Sequence, residues 1–123
     1  KKIIKLKEYI DNHLPEESVI LVGDLNDQIT DPDSNNVFQD FINDSTDYLF
    51  ADMEIALKDK LDWSCPQWPA QLDHILLTNE LFTSFQDPGS EITVIKIDDY
   101  LRSWNSYKRR VSDHRPIGLK LNL

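Results

Sequence analysis

The chain has 123 residues, 40% of them hydrophobic and 10% aromatic, a size and composition that suit one domain with a modest core. Its formal net charge is −9, which disfavours a module that grips duplex DNA through a basic stripe, because neutralised phosphates supply most non-specific affinity. A lone cysteine, Cys65, excludes an internal disulfide framework and a multi-cysteine metal site, and no apolar run approaches the roughly 20 residues that span a bilayer.

The opening stretch KKIIKLKEYIDNHL sets Ile3, Ile4, Leu6, Tyr9, Ile10 and Leu14 at near-helical spacing among lysines and acids, which predicts an amphipathic helix over 1–14. No signal-peptide pattern opens the chain, and because Lys1 falls within the helical pattern the chain is expected to begin mid-protein. Its lysines, like the KRR cluster at 108–110, read as solvated faces. Pro15 and the acids after it break the helix. Residues 18–22 then predict a short apolar strand covered on both faces. The polar stretch 28–36 reads as a surface loop, NVFQDFI as a short helix, and TDYLFADM as a strand followed by a turn or short helix.

A loop, KDKLDWSCPQWPAQ, carries Trp63 and Trp68 and is placed over a pocket mouth, with Cys65 as a small loop residue. QLDHILLT predicts a second buried strand, and NELFTSF a short helix capped by Asn79. EITVIKI alternates with the period of a strand, DYLRSWNSYKRR reads as irregular or partly helical, and VSDHRPIGLKLNL puts a polar turn before a strand that starts near Pro116. Helices alternating with short apolar strands indicate an α/β layer structure.

Three of these segments share one pattern: ILVGDLND, QLDHILLT and VSDHRPIGLKL each join an apolar strand to acids, amides or a histidine. Taken singly, each reads equally as a polar turn whose side chains bond their own backbone. Together they supply what phosphoester hydrolysis requires, namely carboxylates for a divalent cation and for water, a neutral hydrogen-bond donor, and a histidine. Gly23 allows a sharp turn at the strand end, and a strand-like continuation would project Asp24 and Asn26 to the same side. Asp73 is a candidate partner for His114, since a buried carboxylate orients an imidazole and favours its charged form. His74, next to Asp73, would point the other way and reads as structural, while His13 reads as a surface residue.

In this order, GDLND, LDHILLT and SDHRPI resemble the three C-terminal motifs of the endonuclease/exonuclease/phosphatase superfamily, the deoxyribonuclease-I-like phosphoesterases. The resemblance spans nearly all of residues 1–123 and corresponds to the C-terminal part of that domain, with the N-terminal half apparently missing. It implies part of a four-layer α/β/β/α sandwich, a mixed sheet with outer helices. Asp24 would position or deprotonate the attacking water and contribute to metal binding. Asn26 would contact the phosphate, Asp73 would orient His114, the catalytic histidine, and Asp113 would contribute to metal binding. Ser112 would shape the turn.

Mg²⁺ is the implied cofactor, with Mn²⁺ a substitute, yet the family's metal-binding glutamate lies upstream and no glutamate here sits in a matching context. The inner face of an isolated half would expose apolar surface, so the expected partners are the missing half or a second copy forming a dimer, besides a phosphoester substrate, either nucleic acid or a small phosphoester. Trp63 and Trp68, together with Trp104 and Tyr107, are candidate substrate walls, and the acidic balance leans towards a small phosphoester over long duplex DNA. The alternative is a non-catalytic binding or assembly fragment of the same fold. A nucleotide-binding domain with a glycine-rich loop is disfavoured, because Gly23, Gly89 and Gly118 are the only glycines. Nothing in the sequence assigns a compartment.

Overall fold

The structure, a computed structural model, describes residues 2–123. It is a mixed α/β arrangement. Strands β1 (Ile20–Asp24), β2 (Tyr48–Phe50) and β3 (Asp73–Thr78) form one sheet in the order β1-β3-β2, and β4 (Glu91–Val94) pairs with β5 (Ile117–Lys120) in a second. Helices α1 (Lys2–His13), α2 (Gln39–Asn43), α3 (Met53–Ala56), α4 (Phe82–Gln86) and α5 (Trp104–Arg110) connect and flank them. Every strand pairing among the described residues is antiparallel, so the mixed sheet implied by the resemblance is not formed by these strands alone. No helix among the described residues is long and apolar enough to cross a membrane.

Side-chain alternation along β1 and β3 divides the core in two. On one face of the sheet, Leu21 of β1 and Leu76 of β3 pack with Ile10 of α1 and with Phe38, Phe41 and Phe50. The α1 stripe that reaches this core is Ile3, Leu6 and Ile10, continued by Leu14 just past the helix, whereas Ile4 and Tyr9 remain exposed. Full burial of a side chain such as Ile10 contributes about 1.5–3 kcal/mol and the three partly buried ones contribute less each, so the helix is held mainly by packing. On the opposite face, Ile75 and Leu77 of β3 pack with Leu81 and Phe85 and with Ile92, Ile117 and Leu119 of the second sheet.

That second layer stops short of β1, whose Ile20 and Val22 are 46% and 60% exposed. The strand expected to be covered on both faces is therefore covered on one. An apolar groove of about 580 Å³ runs between Ile20 and Val22 on one side and Ile117, Leu119 and Leu121 on the other. A second expectation also fails: neither the turn at Asn79–Leu81 nor α4 has a side-chain cap. The Asn79 amide instead donates to the Asp47 carboxylate at 3.4 Å.

Candidate active site

Antiparallel register is what assembles the site. Asp24, the last residue of β1, stands directly across from Asp73, the first residue of β3, so the two carboxylates share one face. Gly23 precedes it at φ 155°, a backbone conformation that side-chain-bearing residues rarely adopt. One further bond continues the ladder past Asp24, from the Leu25 amide to the Leu72 carbonyl at 3.0 Å, and the chain then turns at Asn26, which adopts a left-handed φ of 53°. The Asn26 amide donates to Asp24 Oδ1 at 3.0 Å. Asp24 and Asn26 are thus brought together by a turn that one aspartate closes, not by a strand-like continuation.

His114 arrives from the turn before β5. Its amide donates to Ser112 Oγ at 3.0 Å, and its carbonyl accepts from the buried Tyr107 hydroxyl at 2.7 Å. The ring Nδ1 lies 2.8 Å from Asp73 Oδ2 and 3.9 Å from Asp24 Oδ2. Since an ionised carboxylate only accepts hydrogen bonds, Nδ1 donates to Asp73, and Nε2 is the ring nitrogen left to face a reactant. Asp73 is itself well held. Its amide and that of Leu72 donate to Ser64 Oγ, each at 3.3 Å, and its carbonyl accepts from Gln71 Nε2 at 2.7 Å.

His74 points the opposite way, into the core between Phe38 and Phe50. It is fully buried, with Nδ1 2.7 Å from Asp52 Oδ2 and Nε2 2.8 Å from the Asp27 carbonyl. Burial opposes charge on this ring, but the Asp52 carboxylate and the Asp27 carbonyl outweigh it and hold the pKa above the ordinary histidine value. The ring therefore ties the far end of the Asp24–Asp27 turn to the core. Asp52 also accepts from the Ile75 amide at 2.9 Å.

The aromatic candidates separate. Trp68 is 80% exposed and borders a cleft of about 380 Å³ shared with Asn26, Leu72, Lys108, Asp113 and His114. Trp63 is turned away from that cleft, its indole N–H donating to the Ile55 carbonyl at 3.1 Å. Tyr107 is wholly buried and supports the His114 turn, so it is no wall. Trp104 packs beside Tyr107 with the Arg115 guanidinium 5.7 Å from its ring. Comparison with protein-family models, curated proteins and solved structures returned no match. The site is read from its own geometry.

Sequence reasoning missed the supports. Arg115 forms a bidentate pair with Asp98, at 2.9 and 2.7 Å, and donates to the Leu61 carbonyl at 2.9 Å, while its amide donates to the Ser64 carbonyl. The pair holds Asp98 below the usual carboxylate range and fixes the loop that presents Ser64 to Asp73. The available signals were an arginine beside His114 in SDHRP and an acid, Asp52, set in the apolar run YLFADM.

For a divalent cation, the described ligating atoms that come within 4.8 Å of one another belong to Asp24, Asp73 and His114, without Asp113. His114 Nδ1 already engages Asp73 Oδ2 and the Asn26 amide engages Asp24 Oδ1, which leaves Asp73 Oδ1 and Asp24 Oδ2 as oxygen donors, with Asp113 exposed on the adjoining cleft. Mg²⁺ prefers oxygen ligands and is commonly held by one or two carboxylates with water and phosphate completing its shell. The donors fit Mg²⁺ in kind and are few in number.

Proposed function

We propose that this chain carries the histidine and water-activating part of a Mg²⁺-dependent phosphoester hydrolase of the endonuclease/exonuclease/phosphatase type. The observation that supports this reading is the His114 ring held at 2.8 Å by Asp73 with the Asp24 carboxylate 3.9 Å from the same nitrogen. In this reading Asp24 accepts a proton from water as the water attacks phosphorus in line with the leaving oxygen. The Asn26 side-chain amide donates to a phosphoryl oxygen, and His114, acting as an imidazolium with Nδ1–H directed to Asp73, donates Nε2–H to the charge that develops. Asp24 and Asp113 would hold the cation, which when bound neutralises phosphoryl oxygens; Mn²⁺ would serve in place of Mg²⁺.

The same reading makes residues 1–123 the C-terminal part of a four-layer sandwich. The apolar face left open on β1 is then where the missing sheet packs, supplied by an upstream half or by a second copy. One observation favours a second reading, a non-catalytic assembly piece: the small number of free cation donors beside a large uncovered apolar face.

Hydrolysis of chromogenic phosphodiesters and phosphomonoesters separates the two. Turnover that needs Mg²⁺, stops in EDTA and falls about 10²- to 10⁴-fold in His114→Ala is the outcome expected of the hydrolase. Turnover indifferent to His114 would favour the assembly piece, whereas none from a folded chain would favour a half domain whose metal site is completed by the missing sheet.

A further inference from the structure

The cleft of about 380 Å³ next to His114 has the size of a small-molecule site and two features the hydrolytic chemistry does not use. One is the indole of Trp68, 80% exposed although large exposed apolar side chains cost free energy. A single exposed tryptophan is ordinary by itself. The second is Lys108, from the last turn of α5, whose Nζ lies 2.6 Å from Gln67 Oε1. Gln67 is neutral, and Lys108 forms no salt bridge among the described residues, so the cleft carries an ammonium free to meet an anion, with the Asp113 carboxylate, a proposed cation ligand, on the same cleft. Gln67 is also the residue before Trp68. Lys108, tied to the residue before Trp68, and the Trp68 indole thus line one cleft with Asn26 and His114.

We infer that this cleft binds nucleotidyl phosphodiesters, with a base stacked on Trp68 and the phosphate next to the scissile one on Lys108; the inference rests on the hydrolase reading of the His114 site. Every nucleobase has a π face that an indole accepts, and each flanking phosphate seeks a cation. A polyol phosphate has no flat face to offer Trp68. A quaternary ammonium headgroup would be repelled by Lys108.

Binding is measured in EDTA by fluorescence anisotropy of a labelled thymidine tetranucleotide, with the full 123-residue chain and inositol trisphosphate as competitor. Trp68→Ala is expected to weaken binding about 5- to 150-fold, and Trp68→Tyr to restore most of it. Lys108→Ala is expected to weaken binding and to reduce the slope of log affinity against log salt by about 0.7. Both side chains are exposed, and an unchanged circular dichroism spectrum keeps each variant interpretable. Affinity unchanged in either alanine variant, displacement by equimolar inositol trisphosphate, or no binding at all would overturn the inference. Nucleotide binding with this profile but with Mg²⁺-dependent turnover unchanged in His114→Ala would sink the hydrolase reading alone.

Discussion

Two adjacent residues of β3, Asp73 and His74, serve opposite faces of one sheet, and each belongs to an aspartate–histidine pair. The outer pair, Asp73 with His114, is partly solvated and meets the cleft, while the inner pair, Asp52 with His74, is sealed among aromatic rings. The outer pair could be read from LDH and SDH because alternation along a strand fixes which residue of LDH faces out. The inner pair could not. Asp52 is 22 positions from His74, and its place in the apolar run YLFADM marks it as buried without naming its partner. Removing one member of a buried pair strands the other, so Asp52→Asn is expected to cost about 3–5 kcal/mol in urea unfolding. The pH dependence has a definite sign. Because the folded pKa of His74 lies above its unfolded value near 6.5, the stabilisation is complete below about pH 6.5 and is lost as pH rises through the folded value. The stability advantage of the native chain over Asp52→Asn should therefore shrink above that pH, and a constant difference would argue against a charged His74.

At the level of elements, the antiparallel register of β1 and β3 decides the site, since a slip by one residue would turn Asp24 to the core face. Gly23 makes the exit from that register possible. A Cβ at Gly23 would meet nothing within 4 Å, so the cost of Gly23→Ala is conformational, about 1–3 kcal/mol, and appears as a lowered denaturation midpoint with unchanged m value. A neutral effect would mean that the backbone can relax. The apolar run VILV was legible as a strand with two apolar faces, but not which cover each face receives. One cover, α1 and its neighbours, is present. The other begins with β4 and β5 and ends before Ile20 and Val22, a long-range packing outcome that no local pattern encodes. At Asn26 the strand-like continuation gives way to the other reading of the same residues, a turn in which the Asp24 side chain bonds the backbone two residues on.

For the whole molecule, the mixed α/β class and the order of its site motifs were readable, whereas the two small separate sheets were not. The open face on β1 is expected to drive self-association when no companion sheet is supplied. Sedimentation should show concentration-dependent oligomers that Val22→Lys shifts to monomer, and a monomer at all concentrations would deny that this face is an interface. The central claim remains that Asp73 and His114 act as one unit upon a phosphoester, and a double-mutant cycle on kcat/KM for Mg²⁺-dependent hydrolysis tests it most directly. The account predicts non-additive losses, with Asp73→Asn/His114→Ala no slower than His114→Ala alone, because an orienting carboxylate contributes nothing once its ring is gone. Losses that add, or no loss from either substitution, would contradict it.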